Sequence, residues 1–236
     1  MSNVDKSIKL NFSFIKGDMI GLFCCALVFA VCFAVPALLP LLVVVVIAFL
    51  VLLIRIYIKI FHKSIFGDGA NLYQAMPLST EEIIVSKVFV TMIASIISQL
   101  GIYIGIMAAG TVVLSSFGTE NAIRELADAM GTIGCLEIAI LVAGSIAGAF
   151  ETVSLVFALF AVYNTRFKNT GSKIAMVAVY FLIYKVQDLL VPNGAEAIIK
   201  NGIYVYEGIS ILVSIAIGVI SCYVVKHCLD KKYVVD

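Results

Sequence analysis

The chain has 236 residues, 62% of them hydrophobic and only 13% charged, with a formal net charge of +1 and a mean hydropathy of +1.12. A soluble domain carries roughly 45–50% apolar and about 25% charged residues, so a water-soluble globule is excluded and lipid must be a large part of the solvent. The near-neutral balance offers nothing to draw nucleic acid.

Six cysteines, Cys24, Cys25, Cys32, Cys135, Cys222 and Cys228, are scattered without a CxxC pair. Five lie in or beside apolar runs, so they read as small packing residues rather than a disulfide framework or a zinc site.

Ahead of the first apolar run, Ile8, Phe12, Ile15 and Met19 fall at i, i+4, i+7 and i+11, with Lys6, Lys9 and Lys16 nearby. This stripe predicts an interfacial helix over residues 1–18, lying on the membrane surface. The run that follows is longer than the core of a signal peptide and lacks a convincing small-residue cleavage site, so it reads as a retained first span. Asn11-Phe-Ser matches a glycosylation sequon on a segment placed in the cytoplasm below, which makes it a chance match.

From Met19 to Ile54 there is no Lys, Arg, Asp or Glu. One helix of that length would stretch about 54 Å, well beyond the roughly 30 Å of a bilayer's hydrocarbon. Pro36 and Pro40 divide it into span one (19–35) and span two (38–54). Arg55 and Lys59, four apart, predict a continuation of span two into the headgroups, where both heads snorkel to water. Further spans are predicted at 88–116, 132–163, 174–191 and 209–225, and no alternating stretch suggests a barrel. The predicted fold is all-α: one polytopic membrane domain of six transmembrane helices over residues 1–236, with a cytoplasmic coupling segment at 61–87.

Of the sixteen Lys and Arg, only Arg124 and Lys200 fall in the segments on one side, and Lys185 lies inside span five. All others fall on the opposite side, so both termini are expected in the cytoplasm of a cell membrane.

Between spans two and three, Gly67 to Gly69 mark a turn and Pro77 interrupts what precedes it. Ser79 and Glu82 have the spacing of a capping box, which predicts the start of a helix that runs on into span three.

Four polar residues inside predicted spans are singled out, Gln99, Glu151, Lys185 and Asp188. Helix rise places Gln99, Glu151 and Lys185 about 18–20 Å from the cytoplasmic boundary, with Asp188 one turn beyond Lys185 on its face. The expectation is a polar belt, Lys185 pairing with Asp188 within span five or with Glu151 across spans four and five. Gly101/Gly105 and Gly144/Gly148 permit close helix approach, and packing within one subunit is the simpler reading.

Catalytic constellations are absent from the pattern. There is no GxxxxGK[ST] loop to hold ATP, and His62 and His227 both sit at the cytoplasmic boundary. Gly144-Ser145 therefore has no histidine at membrane depth to make it a nucleophile. No catalytic, metal or cofactor-binding residue is assigned to this chain.

The stretch Met76-Pro77-Leu78-Ser79-Thr80-Glu81-Glu82-Ile83, followed by Ser86-Lys87, resembles the segment between spans two and three of type-2 ABC exporter permeases. Met76 stands where that family more often has leucine. Lys16-Gly17-Asp18 before span one is similar to the lysine–aspartate that ends the family's first helix. The resemblance implies a pair of permease chains forming a twelve-helix pathway in the lipid, with two ATPase subunits beneath that bind ATP and Mg. It implies that Tyr73, Met76, Pro77, Leu78, Ser79, Thr80, Glu81 and Glu82 form the coupling helix seated in an ATPase groove, and that residues 192–210 hold short re-entrant helices. Cargo of this family includes drugs, lipids and amphipathic or antimicrobial peptides. The alternative is the six-helix substrate-binding membrane subunit of a vitamin importer, against which the coupling-type segment argues.

Overall fold

The computed structural model describes residues 3–35, 38–67, 78–116, 135–166, 170–190 and 203–233, and these are almost wholly helical with no strand among them. Helix α1 spans Asn3–Ala34 and α2 spans Leu39–Tyr57. α2 runs on through a π-helical segment, Ile58–Lys63, into a last turn, Ser64–Phe66. Then come α3 (Thr80–Ser116), α4 (Cys135–Arg166), α5 (Thr170–Leu190) and α6 (Ile203–Tyr233).

Among the described residues five stretches are long and apolar enough to cross a bilayer: Asn3–Phe29, Pro40–Phe66, Thr80–Tyr103, Ile138–Thr165 and Val205–Lys231. The apolar part of α5, Ile174–Gln187, is shorter.

Pro40 opens α2 rather than breaking a helix. It sits in the first turn, where a missing N–H leaves no hydrogen bond unmade. The bend before it is tight, Leu38 N–H donating to Val35 O at 2.8 Å.

The N-terminal segment differs from expectation. Residues 3–18 do not form a helix separate from span one but its first turns, without a break. Ile15 is fully buried, and Ile8, Phe12 and Met19 pack against the core. The predicted apolar stripe therefore faces the protein. The same face carries Ser7 and Asn11, both buried, so the sequon at Asn11 is enclosed.

α1 lies along α3 and α2, α4 along α6 and α3, and α5 rests chiefly on α4. Small residues allow the closest approaches. A Cβ at Gly101 would stand 2.6 Å from Ala26 Cβ, and one at Gly218 would overlap the Phe150 ring.

The buried core gathers at one end of the bundle. Ile15 and Leu22 of α1, Ile60 and Phe61 of the π segment, Val88 and Val90 of α3, Phe157 of α4 and Leu229 of α6 meet there. Phe61 stacks on Phe157 with ring centroids 4.4 Å apart. Elsewhere large apolar side chains such as Val43, Leu100, Phe181 and Leu212 point outward, the surface expected of helices solvated by lipid.

Candidate functional site

The core end of the bundle also holds most of the charge chemistry. Asp18 is buried on α1 and meets Lys59 Nζ at 2.5 Å and Arg55 Nε at 3.3 Å. Lys59 donates in addition to Phe14 O at 3.4 Å. Arg55 and Lys59, expected to snorkel, also form an ion-pair clamp between α1 and α2, because a buried carboxylate lies within reach. Arg55 and Lys59 keep 61% and 27% of their side chains exposed, so water screens part of the attraction. Asp18→Asn should lower stability by about 1–3 kcal/mol, below the range for a fully buried pair. A melt of the purified protein in detergent reads this as a lowered midpoint, and an unchanged midpoint would show the clamp to be idle.

One turn further, Lys87 Nζ is buried and donates to Ser64 Oγ at 2.5 Å, Ile60 O at 3.1 Å and Asn11 Oδ1 at 3.3 Å. Ser7 and Ser86 share a hydroxyl bond of 2.8 Å beside it. The π segment makes this knot possible. Ser64 N–H takes Lys59 O instead of the Ile60 O that an α-helix would give it, and Ile60 O accepts from Lys87 and from Ser64 Oγ. Insertions of this kind mark functional places in helices. Nothing in the sequence pattern announced it, since one residue added to a turn leaves no compositional trace.

Of the coupling residues, Tyr73, Met76 and Pro77 lie outside the described residues. Leu78 packs on the core. Ser79 and Glu82 form the reciprocal cap: Ser79 N–H donates to Glu82 Oε2 at 2.8 Å and Glu82 N–H to Ser79 Oγ at 3.2 Å. α3 accordingly begins at Thr80. Glu81 is 69% exposed and forms a 2.5 Å ion pair with Lys226 of α6.

In the polar belt Glu151 and Lys185 are not paired with each other, and the alternative pairing of Lys185 with Asp188 falls outside the described side chains. Glu151 is buried on α4, and the side chain that bonds it is Gln187, whose Nε2 donates to Oε2 at 3.1 Å. Thr152 and Tyr184 share a hydroxyl bond of 3.0 Å alongside. Tyr184 and Gln187, three apart, occupy one face of α5, whereas Lys185 lies about 160° around the helix from Gln187 and is exposed. Rotational phase, not depth, decided the partner. Gln187 was passed over because only charged residues were weighed as partners for Glu151. Asp188 lies on α5 one turn beyond Lys185, with its side chain outside those described. Glu151 Oε1 and Gln187 Oε1 are both buried without a hydrogen bond among the described residues.

Gln99 belongs to another place. With Tyr103 it lines a groove of about 460 Å³ shared with Ser145 of α4 and Glu207 of α6, over a floor of Gly144 and Gly148 and between Ile102 and Leu141. Glu207 Oε2 is 3.6 Å from where a Gly144 Cβ would stand, and a Cβ at Gly148 would meet nothing within 4 Å. Glu81 and Lys226 mark a common level on α3 and α6. Gln99 is eighteen residues from the first and Glu207 nineteen from the second. Both are therefore about 27–29 Å from that level by helix rise, so they share a level further along the bundle. Glu207 was missed because it sits just before the last predicted span, in what read as an external loop.

Apolar helices facing outward around buried Glu151, Lys87 and Asp18 define a multi-pass helical membrane protein. The chain matches no family model, and no curated protein or solved structure is significantly similar to it.

Proposed function

We propose that the chain is the permease subunit of an ATP-driven exporter, working as a pair of copies with two separate ATPase subunits that bind ATP and Mg. All six helices cross the cell membrane in this reading, α5 included, and both termini are cytoplasmic. The cargo class is an amphipathic peptide, a lipid or a drug.

The observation that carries the reading is the capped start of α3. The Ser79–Glu82 box holds the helix end rigid, Glu81 stands exposed beside it, and the same helix continues without a break past α1 and α4 to Ser116. A push on that end by an ATPase is carried along the whole helix. The segment's order of residues adds the likeness to exporter permeases. The basic segments gathered at this end agree with a cytoplasmic docking face.

The ion pair of Glu81 with Lys226 provides the test. Glu81→Lys alone breaks the pair and reverses the exposed charge, whereas Glu81→Lys with Lys226→Glu restores the pair and leaves the charge reversed at position 81. Affinity purification from native membranes should bring an ATPase subunit with the wild-type chain. The swapped variant should melt like wild type yet retain under a tenth of that ATPase. Full retention in the swapped variant, or no ATPase with the wild type, would sink the reading.

A further inference from the structure

We infer that the groove between α3, α4 and α6 is a binding site for a primary ammonium group carried on an apolar body. The inference names the cargo chemistry of the permease proposed above and rests on that reading for its use; the binding itself is read from the groove alone.

The lining brings together one carboxylate (Glu207), one amide (Gln99), one phenol (Tyr103) and one hydroxyl (Ser145). None of these four side chains has a hydrogen-bond partner among the described residues. The groove is open and its polar groups are unengaged by the described side chains, so they are available to an occupant, and an ionisable group at such a place marks a functional one. The chemistry of the lining selects the occupant.

All four side chains can accept a hydrogen bond, and Glu207 brings a negative charge. The described lining holds no cation. An ammonium group carries three donors and one positive charge, which matches a carboxylate flanked by an amide oxygen and hydroxyl oxygens. Ile102 and Leu141 supply walls for an alkyl or aryl body. The volume is within the roughly 300–1,000 Å³ of small-molecule sites.

Two other cations fit less well. Calcium takes six to eight oxygens, carboxylates prominent among them, and no group of three His, Cys, Asp or Glu converges among the described residues. A quaternary ammonium calls for an aromatic cage, and Tyr103 is the one aromatic ring in the described lining. The glycine floor gives the room: Gly144 lets Glu207 fold over α4, and Gly148 leaves space beneath.

The test uses purified full-length chain in detergent, without any ATPase, titrated calorimetrically with 2-phenylethylammonium and with the neutral 2-phenylethanol. The ammonium should bind saturably at one per chain and the alcohol should not. Glu207→Gln should weaken binding at least tenfold. Gly148→Leu, which fills open space rather than striking a neighbour, should abolish it. Both variants should melt with the wild type. Three results would each overturn the site: no saturable binding to wild type, equal affinity in Glu207→Gln, or alcohol binding as well as the amine. Full displacement of the amine by sodium or calcium at equal charge would reassign the groove to a metal ion. Because no ATPase is present, failure here leaves the exporter reading standing, and failure of the charge-swap purification leaves this titration unaffected.

Discussion

Replacing Lys87 by alanine should leave little folded protein in the membrane. Its ammonium group joins α1 through Asn11, the π segment through Ile60 O and the following turn through Ser64. Truncation removes these bonds and opens a hole where a long side chain was fully enclosed. Buried acceptors left unmade cost about 1–3 kcal/mol each, and a large-to-alanine hole costs about 2–5 kcal/mol. The total rivals a domain's entire stability of roughly 5–15 kcal/mol. Lys87→Met separates the two contributions, because it keeps most of the volume and loses only the hydrogen bonds. It should accumulate in membranes at a reduced level and melt below wild type, while Lys87→Ala should be degraded. Equal yields and melting midpoints for wild type and Lys87→Ala would show that the knot contributes nothing.

Gly101→Ala should also destabilise, although it adds a single methyl group. The new Cβ would lie 2.6 Å from Ala26 Cβ, far inside ordinary contact, and both atoms are on or next to helix backbone that cannot swing aside. α1 and α3 would have to separate along their shared face. Overpacking of this kind costs about 1–3 kcal/mol. The compensating change is specific: Ala26→Gly removes the opposing methyl and should return most of the lost melting temperature to Gly101→Ala, though not to an unrelated destabilised variant such as Asp18→Asn. A double variant no better than the single one would mean that the helices do not cross at these residues.

Together the knot and the crossing hold α1 to α3 at two levels. The start of α3 is the proposed ATPase contact, so α1 is expected to move with α3 as one body. Among the described residues two side-chain bonds join α4 and α5, Glu151–Gln187 and Thr152–Tyr184.

Much of this protein is legible in one dimension. Lipid as solvent follows from composition, and the positions of the helices follow from the lengths of uncharged runs, because burying a backbone in hydrocarbon requires its hydrogen bonds to be closed within the segment. The cap at Ser79 and Glu82 was legible for a similar reason, as both partners lie within one turn. What the sequence could not determine is the rotation of each helix about its axis. A helix apolar on nearly every side has no strong preferred face, so depth alone offered Lys185 to either Asp188 or Glu151, and the structure placed Gln187 against Glu151. The same indifference hid the clamp from Asp18 to Lys59 and the π segment that turns Ile60 O toward Lys87. It also hid the meeting of Gln99 with Glu207, two residues far apart in the chain that share a level. Those pairings depend on which helix lies beside which, and at what phase. Only the packed bundle decides that, because close contact between small residues such as Gly101 and Ala26 sets the rotation that hydropathy leaves open.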